Sequence, residues 1–111
     1  MKNNRESRND IRLLADISDG KHVFEGTVVN VSRHGLKIME IPQKFDFYAE
    51  KFTAVITEKD KNFKLFLNPR WSRIERPYKE IGFKIISPPL EWIKFINELE
   101  EKEIPLSSVN Y

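Results

Sequence analysis

From Ile11 to Ile86 apolar and polar positions alternate in short runs between turn residues, the period of two that marks half-buried strands. The run IRLLADI gives a first strand, ended by SDGK, whose Asp19-Gly20 pair suits a tight turn. HVFEGTVVNV gives a β-rich second strand. GLKIMEI gives a third, with Leu36 and Ile38 in phase, Met39 and Ile41 less cleanly so, and Pro42 as its stop. KFTAVIT places Phe52, Ala54 and Ile56 on one face. FKLFLNPRWSRIE reads as a long strand that Pro69 must bend, bulge or confine to an edge, because proline removes an amide donor. RPYKE then turns the chain into IGFKII, where Ile81, Phe83 and Ile85 alternate with Gly82, Lys84 and Ile86.

The period changes after Ile86. Ser87 is a candidate cap, Pro88 and Pro89 suit a first helical turn, and LEWIKFINELEEKE has helical spacing. Leu90, Ile93, Ile96 or Asn97, and Leu99 to Glu100 trace one stripe, widened by Trp92 and Phe95, until Pro105 ends the helix. That stripe must be buried against the sheet. Six antiparallel strands and one terminal helix predict an all-β fold with one C-terminal helix, built as a small barrel because closure removes exposed edges. Residues 1–10 are expected to form a flexible arginine-bearing segment, 11–103 a single barrel domain with its helix, and 104–111 a tail.

Composition narrows the function classes. A chain of 111 residues with 40% hydrophobic and 32% charged positions is expected to be one soluble globular domain. Nineteen Lys and Arg against seventeen Asp and Glu leave a formal charge of +2, too even for a broad phosphate-binding surface, so no DNA or RNA partner is expected and any anion must bind at a local cluster. There is no cysteine, and His22 and His34 are the only imidazoles, so no metal site or other cofactor is expected. The N-terminus MKNNRESRND has no apolar segment of signal-peptide type, and no run is long enough to span a bilayer; membrane insertion is not expected, and the cytoplasm is the default location.

Two segments carry candidate chemistry. In RNDIR, Arg8 and Arg12 stand four apart, with Arg5 just upstream. A guanidinium fork can contact phosphate bidentately, stack on a base, or pair with guanine O6 and N7. In NVSRHG, Asn30 and Ser32 share a strand face, while Gly35 permits a positive backbone torsion or a close approach of ligand. Asn30 can bond a base edge and Ser32 a phosphate or the backbone. Read structurally, the same segments are a solvated basic tail and a turn stabilised by Asn and Ser. Ser32 and His34 have no acid partner or oxyanion loop, so neither a hydrolase nor any other enzyme is expected.

Taken together, RxxxR at Arg8–Arg12 followed by (D/N)xSxxG at Asn30–Gly35 resembles the signature of PilZ domains, bacterial receptors for the second messenger cyclic di-GMP. PRWSRIERPYKEIGFKI is similar to the late strands of that family, with a tryptophan before a loop and a glycine-containing strand after it. The resemblance runs from about Arg5 to the terminal helix. It implies a six-stranded antiparallel PilZ-type β-barrel that binds cyclic di-GMP through Arg8, Arg12, Asn30, Ser32 and Gly35. Arg5, Arg33, His34 and Trp71 are secondary candidates for the same surface. The seventeen residues between Arg12 and Asn30 imply a shortened first hairpin, and His34 stands where the family often has a second glycine.

The implied function is a single-domain receptor or adaptor. Cyclic di-GMP would order the arginine segment on the barrel, and the changed surface would signal to an unidentified protein effector with a motility, biofilm or exopolysaccharide output. The alternative is a PilZ-like interaction module that engages a protein without ligand. A single-strand-binding barrel would want exposed aromatics among basic residues; FKLFLNPRW fits that pattern less simply than it fits a core strand.

Overall fold

The computed structural model describes residues 9–44 and 51–102. Six strands, β1 (Asn9–Ser18), β2 (Val23–Val31), β3 (Gly35–Pro42), β4 (Phe52–Glu58), β5 (Lys61–Glu75) and β6 (Tyr78–Ile86), are followed by helix α1 (Leu90–Lys102). The strands pair antiparallel in the order β1-β2-β3-β6-β5-β4, and β4 returns to β1 to close a barrel. The fold class expected from the alternation is therefore the one observed. β1 takes in Asn9 and Asp10, so the sheet begins within the polar N-terminal stretch.

Alternation fills the interior. Ala15 and Ile17, Phe52, Ala54 and Ile56, Phe63, Leu65 and Leu67, and Ile81, Phe83 and Ile85 all point inward and are buried. Where the pattern was unclean, the ladder has an extra residue. In β3 the register against β6 shifts between Ile38 and Ile41, and Glu40 takes φ 65°, so Ile38 and Ile41 both face the core although three apart. In β5 the shift falls between Pro69 and Trp71, which puts the missing amide of Pro69 at a bulge rather than in a regular rung. Asp19 closes the β1–β2 hairpin, its Oδ1 accepting from the amides of Lys21 (2.9 Å) and His22 (2.8 Å).

The helix covers the barrel end that carries the β2–β3 turn. Its buried face is Trp92, Phe95 and Ile96, with Ile93 and Leu99 partly covered, whereas Leu90 is exposed. Of the expected stripe, Trp92, Ile93, Phe95, Ile96 and Leu99 meet the barrel and Leu90 does not. The larger area of two aromatic rings sets the face, since Phe63 stacks on Phe95 at 5.1 Å and meets Trp92 edge-on at 5.5 Å. The cap also differs. The carbonyl of Pro89 accepts from Trp92 (3.0 Å) and Ile93 (3.2 Å), so the helix starts one residue after the prolines, and Ser87, at φ 47°, lies outside it.

Candidate functional site

Strand pairing brings the two motif segments together. Asp10 stands opposite Asn30 and Asn9 opposite Val31, so the start of β1 runs beside the last residues of β2. Asn9 is buried and its Nδ2 donates to the Val31 carbonyl at 3.3 Å, pinning the chain just past Arg8 to the base of the β2–β3 turn. Inward and outward positions alternate along β1, and Arg12 points out and is exposed, above a shallow depression of about 370 Å³ lined by Asp10, Ile11, Arg12 and Val29. Arg5 and Arg8 lie outside the described residues.

The turn itself is held from three sides. The Ser32 amide (2.8 Å) and hydroxyl (3.3 Å) both donate to the Gly35 carbonyl, which closes the turn. The Ile85 amide donates to the His34 carbonyl at 2.9 Å, tying the turn to β6. From above, the Trp92 indole Nε1 donates to the Ser32 carbonyl at 3.1 Å. Ser32 is buried and its hydroxyl is engaged within the turn. Gly35 does not adopt a positive φ, and a Cβ there would sit 3.5 Å from the Phe83 carbonyl and from Ser32 Oγ, an ordinary contact. The backbone torsion suggested for Gly35 is therefore not used.

Asn30 lies at one end of a row that crosses the outside of the barrel. Cross-strand partners run Asp10, Asn30, Lys37, Gly82 and Trp71, over β1, β2, β3, β6 and β5. The Trp71 indole lies against Gly82, where a Cβ would overlap the ring, and stays partly exposed. Beside it, Glu80 faces outward yet is only 3% accessible, because Arg73 covers it with a 2.7 Å ion pair and Lys37 Nζ approaches to 3.8 Å. Gly82→Ala is expected to lift the indole off the sheet, red-shifting tryptophan emission while costing stability no more than about 1–2 kcal/mol, since an exposed ring can move aside.

Of the secondary candidates, Trp71 joins this outer row, His34 is exposed in the turn, and Arg33 is directed to α1, donating to Asn97 Oδ1 and Glu100 Oε1, both at 2.9 Å. Asn9, buried beside the base of the turn, and Lys37, next to Asn30 in the outer row, were missed from sequence. The only signal for Asn9 was a polar residue inside the RxxxR spacer, and for Lys37 a lysine on the Asn30 face of the next strand. Arg12, Asn30 and Lys37, on the adjoining β1, β2 and β3, offer a guanidinium, an amide and an ammonium, a set suited to a planar base joined to an anion.

No protein-family model matches the sequence, and no curated protein does. Solved structures do. The Bacillus subtilis inhibitor of motility MotI/DgrA superposes with TM-score 0.72 at 10% identity, over 94% of this chain and 54% of its own. The Borreliella burgdorferi PlzA protein in complex with c-di-GMP gives TM-score 0.67 at 13% identity, over 96% of this chain and 54% of its own. The fold is PilZ-like. The chain spans about half the length of each of these structures. On the PilZ-like barrel, the motif-bearing elements β1, β2 and the β2–β3 turn occupy one side of the closed sheet. Among the described residues, no helix is long and apolar enough to cross a membrane, and no group of three or more His, Cys, Asp or Glu stands ready to hold a metal ion.

Proposed function

We propose that this chain is a cyclic di-GMP receptor whose ligand lies on the outside of the barrel, between the N-terminal arginines and the β2–β3 turn. The observation that carries the reading is the rung Asp10–Asn30, which places Arg12 two residues from the partner of Asn30 and so joins two motifs far apart in sequence into one surface. Arg12, with Arg8, takes phosphates and guanine. Asn30 reads a base edge, Ser32 keeps the turn in shape, and Gly35 keeps its surface low. Trp71 lies on β5, three strands from β2 in either direction round the closed sheet, and is left out of the ligand face. A structural neighbour solved with c-di-GMP supports the ligand class.

Binding orders the arginine segment against the barrel, and that altered surface signals to a protein effector in the cytoplasm of a bacterium. No chemistry is performed on the ligand; the chain acts as a receptor or adaptor. Titration calorimetry with cyclic di-GMP tests the reading: heat with micromolar or tighter affinity is expected, and a flat titration removes it. Partner capture in the absence of nucleotide would favour a ligand-independent interaction module instead. Gly35→Ala separates fold from ligand. Its melting temperature should match or slightly exceed the parent, because the added methyl meets only ordinary contacts, while its affinity for cyclic di-GMP falls. Equal affinity would remove Gly35 from the site.

A further inference from the structure

Arg33 stands next to Ser32 in the motif turn, yet its guanidinium is spent on the helix. One nitrogen, Nη2, reaches both Asn97 Oδ1 and Glu100 Oε1, with the Arg33 and Glu100 side chains 36% and 27% exposed. Glu100 lies in the last turn of α1, where a carboxylate opposes the helix dipole, and its Oε2 is buried without a hydrogen-bond partner among the described residues. Arg33 is thus the cation that makes this carboxylate tolerable. At the other end of the helix Trp92 holds the Ser32 carbonyl. The turn that carries Ser32 and Gly35 is therefore grasped at two points by α1.

From this double grip we infer that Arg33 is a positioning residue rather than a ligand contact, and that it couples ligand occupancy of the turn to the docking of the C-terminal turn of α1. The inference rests on the receptor reading of the turn given above. A ligand that needs the turn in one shape favours the state in which Arg33 holds Asn97 and Glu100. By linkage, whatever loosens that end of the helix weakens the ligand by the same factor. The last turn of α1 is then a second place, besides the arginine segment, where occupancy becomes visible.

The test uses the full chain with cyclic di-GMP as probe, and compares Arg33→Ala, Arg33→Lys, Glu100→Gln and the double variant Arg33→Ala with Glu100→Gln. Calorimetry gives affinity and hydrogen exchange reports the amides of Asn97–Glu101. The ion pair is partly exposed and sits at the end of the helix, so its loss costs only modest global stability and all four variants should fold. Arg33→Ala is expected to weaken binding about tenfold. Glu100→Gln should weaken it in the same direction, and the double variant no further than Arg33→Ala alone. Arg33→Lys, which keeps the charge without the fork, should fall between. Ligand should slow exchange at the end of α1 in the parent and not in Arg33→Ala.

A direct contact between Arg33 and ligand predicts the opposite for Glu100→Gln, because freeing the guanidinium would hold or raise affinity. That result overturns the inference, as does parental affinity in Arg33→Ala. A parent that binds while its variants match it removes only the coupling. A parent that gives no heat removes the receptor reading and the coupling with it.

Discussion

Replacing Arg8 and Arg12 together by alanine is expected to take cyclic di-GMP binding out of the range of calorimetry while leaving the melting temperature within about two degrees of the parent. A hydrogen bond to a charged group contributes about 1.5–3 kcal/mol when the partner is held in place, and two guanidinium forks facing phosphate and guanine contribute at least that much each. The combined loss of about 3–6 kcal/mol corresponds to roughly 10²- to 10⁴-fold in affinity. Stability is spared because Arg12 is exposed on the outer face of β1. Arg12→Lys isolates geometry from charge: a lysine keeps long-range attraction but cannot grip two acceptors in a plane, so its affinity should lie between parent and alanine. A double variant that still binds at parental affinity would show that the arginines are no more than a solvated tail.

The largest stability effect belongs to Trp92. Its side chain is fully buried, packs edge-on against Phe63 and tilted against Phe95 at 5.6 Å, and donates its indole N–H to the Ser32 carbonyl. Trp92→Ala removes the ring from between barrel and helix and leaves a cavity that cannot collapse without undocking α1. The expected cost is about 3–5 kcal/mol, a large part of the roughly 5–15 kcal/mol that holds a domain of this size together. Urea unfolding followed by circular dichroism measures it, and a loss below about 1 kcal/mol would mean the helix contributes little to the barrel. Trp92→Phe refines the point. It keeps much of the apolar contact but strands the Ser32 carbonyl, so it should stay folded, unfold earlier, and bind cyclic di-GMP more weakly than its modest destabilisation alone would suggest.

Strand phases were legible in the sequence because a period of two is imposed residue by residue; Phe52, Ala54 and Ile56, or Ile81, Phe83 and Ile85, needed no tertiary knowledge to be placed inward. Pro69 announced an irregularity for the same local reason, the absent amide. The helix face was less legible. Counting apolar positions gave Leu90 a place that packing denies it, since what decides the face is the shape of the barrel mouth at Phe63, which local sequence does not encode. The site was half legible. Motif spacing named Arg12 and Asn30, but only the register makes them neighbours. The direction of Arg33 could not be read at all, because a turn residue has no periodicity to orient it and its partners Asn97 and Glu100 lie more than sixty residues away.

The filled interior has a consequence for timing. Ile17, Ile38, Ile56, Leu65 and Ile81 leave no accessible surface inside the sheet, so nothing of nucleotide size enters it. A ligand held on the outside of such a barrel arrives and departs without any opening of the core. Its arrival is governed by diffusion and by the arginines' charge, and its departure by how many surface contacts must break. On the proposed reading, a receptor built this way would follow a rise or fall in second-messenger concentration without the lag that a closing cavity would impose.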